Sequence, residues 1–138
     1  RRLPFEKWKK IISYILDNDH EMHIGLFASK KESSDAVKIK NLYKERVHFP
    51  LESPNLYYAA GIINNAQMLI SIDTSLIHLA AALNKPIIGL YNNDKINYAR
   101  YSPYNTISDS VISNSRFIRD IESESVIKSY NALIKKEK

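Results

Sequence analysis

The sequence predicts an α/β fold: a Rossmann-like parallel sheet with helices on both faces. Residues 68–72 and 87–91 are nearly continuous apolar runs, as expected of strands that are buried on both sides. The helical pattern at 75–83 lies between them, so a crossover helix joins two parallel strands. We expect the apolar run at 22–28 to form a third strand, and these three strands to be central in the sheet.

The first half of the chain alternates helices and strands. Pro4 suits the first position of a helix, whose apolar residues share one face until residues 17–19 end it. Ser33 or Ser34 is expected to cap the second helix, and a short strand at 47–49 follows it. Pro54 is expected to open a third helix, which turns several apolar residues towards the sheet (Leu56, Tyr57, Ala60, Ile62, Ile63).

The second half closes the fold after the strand at 87–91. Residues 92–106 are polar and rich in Asn and Tyr, which predicts a long functional loop flanked by four tyrosines (Tyr91, Tyr98, Tyr101, Tyr104). Their rings are expected either to pack against the sheet edge or to line a site for a base or sugar. A weak strand is expected near Val111 and Ile112, and Ser123 or Ser125 caps the last helix.

Composition narrows the functional classes. The 138 residues, 44% hydrophobic, suffice for a single domain over 1–138, and the absence of cysteine excludes disulfides and thiolate metal sites. Three scattered glycines disfavour a dinucleotide fingerprint or a Walker loop. The net charge is +5, and Lys and Arg residues cluster at both ends of the chain. The simpler interpretation is a solvated surface, and the alternative is attraction to anionic substrates or to a phospholipid surface. Without a basic and aromatic stripe, no nucleic acid is expected as a partner.

The segment from Ile72 to Leu83 is the most informative. An apolar strand ends in Asp73, Thr74 and Ser75, and an alanine-rich helix with His78 one turn in begins at once. A turn at the carboxyl end of a parallel strand and at a helix N-terminus is where open α/β sheets bind ligands, and its backbone N–H groups favour phosphates. This segment therefore predicts a binding site for an anion.

The same residues resemble the donor-binding domain of glycosyltransferase family 9, the heptosyltransferases. That family has a strand, Asp-(Thr/Ser)-Gly-x-x-His, a helix of small residues, a Pro and a second strand. The matching residues here are Asp73, Thr74, Ser75, His78, Ala80, Ala81, Ala82 and Pro86. The opening, Arg1 to Trp8, is similar to the family's basic residue, Trp-Pro, acidic residue and aromatic. The chain departs from the family at two places: Ser75 replaces the family's Gly, and residues 92–94 replace its Gly-Pro-Thr.

The resemblance implies the carboxy-terminal half of a GT-B type glycosyltransferase. Its implied donor is a nucleotide sugar, ADP-heptose, and its acceptor is the lipopolysaccharide inner core, bound through a domain outside this chain. The implied transfer needs no metal and no other cofactor. The expected location is cytoplasmic, at the inner face of the bacterial inner membrane with peripheral membrane contact. A chain that opens directly at a helix is interpreted as a piece of a longer protein, inactive alone because the general base lies elsewhere.

The resemblance also assigns the donor-binding residues. Thr74 and Ser75 are expected to give N–H groups and hydroxyls to phosphate, or else to do ordinary turn chemistry. His78 is expected to stabilise the leaving diphosphate, the alternative being a structural helix residue. Asp73 is expected either to cap the helix or to bind a sugar hydroxyl, because a carboxylate would repel a diphosphate.

Two more donor contacts come from the start of the chain. By its distance from Pro4, Arg1 matches the family's basic residue, which the resemblance implies lies near the nucleotide phosphates. Glu32, in the turn after the strand at 22–28, lies where the family has an acidic residue near the nucleoside, so the resemblance implies contact with the ribose hydroxyls; a solvated charge is the simpler interpretation of Glu32. His20, His23 and His48 show no metal-ligand spacing and are expected to be structural or at the surface. Two other functions stay open: a related transferase with a different nucleotide sugar, and a non-catalytic module of surface polysaccharide assembly.

Overall fold

The structure is a computed structural model that describes residues 2–49, 55–72, 74–101 and 106–137. Helices and strands alternate along the chain: α1 (Phe5–Asn18), β1 (Ile24–Gly25), α2 (Ser33–Tyr43), β2 (Val47–His48), α3 (Leu56–Asn65), β3 (Leu69–Ile72), α4 (Ser75–Ala82), β4 (Ile87–Tyr91), α5 (Lys95–Tyr101), β5 (Ser108–Ile112) and α6 (Ser123–Glu137). Two 3-10 turns, Lys44–Arg46 and Ile118–Asp120, precede β2 and α6.

The strands pair in parallel, as the sequence predicts. β3 pairs with β4 from Leu69 opposite Ile87 to Ile72 opposite Leu90, and β4 pairs with β5 along its other edge. β1 and β2 form a separate parallel pair. Because parallel strands point the same way, the carboxyl ends of β3, β4 and β5 lie along one edge of their sheet.

Helices cover both faces of the sheet, which confirms the predicted architecture. Ile88 and Leu90 of β4 pack in one cluster with buried residues of α1 and α6. Ile87 and Tyr91, on the other face, pack with buried residues of α3 and α4. Successive side chains of a strand alternate between faces, so every residue of β4 is buried. A third cluster joins α1, α2 and β2.

The predicted central strand at 22–28 is wrong in length and position. Only Ile24–Gly25 is a strand, Gly25 is exposed, and β1 pairs with β2 rather than with β3. Of the three strands expected at the centre, β4 is therefore the one with a hydrogen-bonded neighbour on each side. After Leu26, whose N–H donates to the carbonyl of His48 (2.8 Å), the chain leaves the strand pair towards α2.

Two more predictions need correction. Leu56 and Tyr57, expected to face the sheet, are 58% and 87% exposed, because the buried stripe of α3 runs through Ala59 and Ile63. The predicted loop at 92–106 contains α5. The carboxylate of Asp94 accepts the N–H of Ile96 (3.1 Å) at the start of α5, a capping contact that the Asn-rich composition concealed.

The cap expected for α2 at Ser33 or Ser34 is not found at Ser33. α2 starts at Ser33 with Glu32 before it, and the Ser33 hydroxyl donates to the carbonyl of Lys30 instead of capping the helix (2.9 Å). Pro54 lies outside the described residues.

The end of the chain agrees with the predicted elements. The closing helix starts at Ser123, and the weak strand near Val111 is confirmed as β5. Within the described parts of the chain, no helix is long and apolar enough to cross a membrane.

Candidate functional site

The turn between β3 and α4 is fixed by hydroxyl groups. Thr74 is the N-cap of α4, with extended backbone angles, and its Oγ1 accepts the N–H of Leu76 (3.3 Å). The helix cap, one of the two roles left open for Asp73, is thus made by Thr74. The side chain of Thr74 thus acts in the turn as a hydrogen-bond acceptor.

Ser71 supports this turn from inside the strand. It is 8% exposed, and its hydroxyl lies 2.9 Å from the carbonyl of Ile72 and 3.3 Å from Oγ1 of Thr74. Ser71 thereby ties the end of β3 to the cap of α4. This residue was not among those predicted from the sequence, although a serine inside the apolar run at 68–72, just before the polar turn, was a visible signal.

Ser75 and His78 lie on one side of the first turn of α4. Ser75 is the first helical residue and His78 the fourth, a spacing that places both side chains on the same face. Both are exposed, whereas Ile77 between them is buried in the core. α4 is therefore held by its apolar face while its N-terminal polar residues face solvent, an arrangement that can receive an anion.

Glu32 lies at a second turn, after β1. Its Oε2 accepts the hydroxyl (2.6 Å) and the N–H (3.2 Å) of Ser29, and its Oε1 lies 4.0 Å from Nε of Arg2. The carboxylate therefore shapes the Ser29–Glu32 turn and pairs loosely with the start of the chain. Arg2, beside the predicted Arg1, is the cation that the structure brings to Glu32. Among the described residues, none of the hydrogen bonds or ion pairs of Glu32 reaches α4.

Two predicted site residues, Arg1 and Asp73, lie outside the described residues. Their roles stay predictions. Within the described ranges, no three His, Asp or Glu side chains converge as a metal site would require. Metal independence also stays a prediction, because the described residues do not include the carboxylate of Asp73.

A pocket of about 410 Å³ opens where β1 and β2 end. It combines aromatic rings with two basic side chains and is lined by Gly25, Leu26, Phe27, Lys40, His48, Phe49, Tyr58 and Ile62.

The tyrosines expected to flank the long loop were predicted either to pack against the sheet or to line a site. Tyr91 is buried and meets the ring of Tyr98 edge-on (centroids 5.1 Å apart), which is the packing alternative, and Tyr104 lies outside the described residues.

Comparison with known proteins places the chain among the glycosyltransferases. The profile of glycosyltransferase family 9 (heptosyltransferase) matches residues 1–131. The chain belongs to this family. It is 29% identical over 136 residues to a provisionally named lipopolysaccharide heptosyltransferase 4 of Escherichia coli K12, and 27% identical over 95 residues to lipooligosaccharide heptosyltransferase 2 of Haemophilus influenzae.

Solved structures of family 9 share the fold. E. coli heptosyltransferase WaaC with ADP superposes with a TM-score of 0.81 at 21% identity, covering 96% of this chain and 40% of WaaC. E. coli ADP-heptose lipopolysaccharide heptosyltransferase II gives 0.78 at 21% identity, covering 99% and 43%. The two curated relatives are matched over 96% and 66% of this chain, but over only 36% and 27% of their own lengths.

The departures from the family 9 motif have local explanations. Within the described residues, positive φ angles outside glycine occur at Lys44 and Asn84, so Ser75 replaces the family's Gly without backbone strain. The Asn-Asn-Asp segment after β4 forms successive side-chain turns, in which Oδ1 of Asn92 accepts the N–H of Asp94 (3.2 Å). These turns lead into α5.

The structure also pairs two histidines that the sequence left apart. Nδ1 of His23 and Nε2 of His48 lie 2.9 Å from each other on the exposed side of β1 and β2. The ring centroids are 5.2 Å apart and the ring planes differ by 17°, so a hydrogen bond joins two nearly parallel rings. The parallel register that sets Gly25 opposite His48 creates this contact, which spacing in sequence does not reveal.

Proposed function

We propose that this chain is the donor-binding half of a heptosyltransferase and that its donor is ADP-heptose. The observation that carries the proposal is the exposed start of α4, where Ser75 and His78 stand beside a turn fixed by Ser71 and Thr74. One relative of the same fold supports it, E. coli heptosyltransferase WaaC, since two structures of that protein contain ADP and ADP-2-deoxy-2-fluoro heptose.

In the proposed reaction, an acceptor hydroxyl attacks the anomeric carbon of the donor while the nucleoside diphosphate leaves. Negative charge grows on the leaving oxygen, and preorganised donors stabilise it. The N-terminal amides of α4, the Ser75 hydroxyl and an N–H of the His78 ring supply those donors. They do so in place of a metal, and no other cofactor takes part.

The remaining donor contacts are assigned to the edges of the site. Arg1 binds a phosphate, and Glu32 accepts hydrogen bonds from the ribose through Oε1, since Oε2 is already taken by Ser29. Asp73 binds a sugar hydroxyl. The pocket at the ends of β1 and β2 offers the rings of Phe27, Phe49 and Tyr58 to the base.

The acceptor and the general base belong to the other half of the proposed enzyme. The acceptor is the lipopolysaccharide inner core, and the reaction takes place at the cytoplasmic face of the membrane. Because this chain then lacks the attacking side of the site, the isolated 138 residues bind a nucleotide but transfer no sugar. Sugar transfer by the pure 138-residue chain would contradict this assignment.

A thermal-shift panel tests the donor assignment. ADP, UDP, GDP and adenosine are compared at one concentration, with adenosine as the control that lacks phosphate. The proposal expects ADP to raise the melting temperature most, because a ligand that binds only the folded state stabilises it. A larger effect of UDP or GDP would favour a transferase with a different donor, and no effect of any nucleotide would favour a non-catalytic module.

A further inference from the structure

Two arginine side chains lie over one aromatic ring in the segment that follows β5. The guanidinium carbon of Arg119 lies 4.3 Å, and that of Arg116 5.0 Å, from the ring centre of Phe117. Both arginines are exposed and Phe117 is 40% exposed. Since both distances end at the same ring, the two cations share one small patch of surface, which we call the arginine clamp (Arg116, Phe117, Arg119).

The loop that carries the clamp is fixed to the sheet. The buried Ser113 donates its hydroxyl to the carbonyl of Phe117 (2.7 Å), and the N–H of Phe117 donates to the Ser115 hydroxyl (2.9 Å). The N–H of Asn93 donates to the carbonyl of Ser115 (3.1 Å), which ties the loop to the end of β4. The clamp is therefore presented by a constrained backbone rather than by a free surface loop.

The clamp has no carboxylate partner in the described part of the chain. The nearby Asp120 accepts a hydrogen bond from the Ser115 hydroxyl, and no ion pair between described residues joins Asp120 to either arginine. Two neighbouring guanidinium groups repel each other, and contact with the ring face offsets part of that repulsion. A guanidinium stacked on a ring keeps its in-plane N–H donors available, a geometry suited to bidentate binding of phosphate or carboxylate.

The position of the clamp separates it from the donor turn. β3 and β5 flank β4, and neighbouring strands lie about 4.8 Å apart, so the clamp follows a strand roughly 10 Å from the one that leads to Thr74. Both strands end at the same edge of the sheet.

We propose that Arg116 and Arg119 form a second anion-binding subsite, which takes a phosphate or carboxylate group carried by a sugar substrate. The proposal rests on the proposed glycosyl transfer for its sugar, while the anion site rests on the clamp itself. Phe117 is a positioning residue: its ring keeps the two guanidinium groups close to it and does not itself touch the anion.

Titration of the ¹⁵N-labelled chain with glucose 6-phosphate and with glucuronate, followed by NMR, tests the proposal. Glucose is the neutral control. We expect both anions to shift the amide signals of residues 115–120 with millimolar affinity that weakens as salt is added, and glucose to leave them unchanged. No shift at residues 115–120 with either anion would overturn the proposal.

Variants separate the clamp from general surface charge and from the donor turn. R116Q/R119Q should weaken glucose 6-phosphate at least fivefold, and Phe117→Leu should weaken it less, because both charges remain. Lys128→Gln, which removes an exposed cation of α6, is the matched control. ADP affinity should stay within twofold in R116Q/R119Q. Equal loss of ADP would mean that the clamp belongs to the donor site, which refutes a second subsite, whereas failure of ADP to bind the wild type would refute the donor assignment alone.

Discussion

The ring of Tyr91 lies directly over Gly89, two residues earlier on the same face of β4. A Cβ atom placed on Gly89 would lie 2.5 Å from Cε2 and 2.7 Å from the hydroxyl oxygen of Tyr91. Tyr91 is 2% exposed and packs against Tyr98, so its ring has little room to move. The only glycine in β4 is therefore part of the packing between the sheet and the helices α3 and α4.

Gly89→Ala should destabilise the fold. The added methyl group must displace a buried ring, and such overpacking costs about 1–3 kcal/mol of unfolding free energy. Gly61→Ala is the control, because a methyl group added to Gly61 in α3 would meet no atom within 4 Å, and alanine favours a helix. Urea denaturation measures both. Equal stability of Gly89→Ala and the wild type would show that Tyr91 does not hold this position.

Thr74→Ala should weaken the start of α4. It removes the hydroxyl that accepts the Leu76 N–H and contacts Ser71, and loss of an N-cap costs about 1 kcal/mol. Thr74→Ser keeps the oxygen and should retain most of the stability. The free energies of unfolding of the two variants decide the matter: if serine and alanine destabilise equally, the hydroxyl does not cap α4.

Lys7→Met should loosen the contact between α1 and the segment before α6. The Lys7 ammonium donates to the carbonyls of Arg119 (2.9 Å) and Ile121 (2.7 Å), and these bonds fix the turn that ends the clamp loop. We expect a loss of about 1 kcal/mol, since the group is partly exposed. Lys9→Met serves as the control in the same denaturation experiment, and an equal effect of the two substitutions would contradict the role of Lys7.

Tyr130 predicts a loss of stability at alkaline pH. Burial raises the pKa of the Tyr130 phenol above its ordinary value, and the charges of Asp19 and Tyr14 act in the same direction. The folded state therefore resists deprotonation, so the stabilisation is present below the unfolded value of about pH 10 and is lost as pH rises through the folded value. Tyr130→Phe should flatten the fall in stability above about pH 10 relative to the wild type.

The control for Tyr130 is Tyr57→Phe, which alters an exposed tyrosine. Its pH profile should follow that of the wild type. If Tyr130→Phe also follows the wild-type profile, ionisation of Tyr130 contributes nothing to alkaline unfolding.

The sequence predicted the parts of the fold that depend on burial. β3 and β4 were predicted as a parallel pair for two reasons. Their apolar runs are typical of strands buried on both faces, and a crossover helix between two strands brings the chain back in the same direction. β1 was overestimated: the run at 22–28 is apolar throughout most of its length, and periodicity alone does not show that the chain leaves the strand pair after Leu26. Contacts made by register, such as His23 with His48, depend on pairing that the sequence does not specify locally.

The site was predicted in the same uneven way. Thr74, Ser75 and His78 followed from a strand that ends in a polar turn before a helix, and the structure places all three at the start of α4. A cap at Asp73 was one of the two roles left open for that residue. The cap is Thr74 instead; Asp and Thr are both good caps, so the sequence alone does not choose between adjacent ones. The arginine clamp was missed because the sequence does not show that Arg116 and Arg119 both contact the ring of Phe117.

Binding of ADP to the start of α4 is the central claim, and isothermal titration calorimetry tests it most directly. ADP is titrated into the wild type, His78→Gln and the control His20→Gln, which changes an exposed histidine in the turn after α1. A side chain at position 78 that donates a hydrogen bond to the bound diphosphate strengthens ADP binding, because hydrogen bonds to charged acceptors are the stronger ones.

The wild type and His20→Gln should therefore bind ADP with the same affinity, while His78→Gln, which keeps a hydrogen-bond donor on a side chain of different shape, should bind ADP more weakly. His78→Ala should lose roughly 1.5–3 kcal/mol of binding free energy, the range for a hydrogen bond to a charged group. If His78→Ala binds ADP with the affinity of the wild type, His78 does not stabilise the diphosphate and the account of this site is wrong.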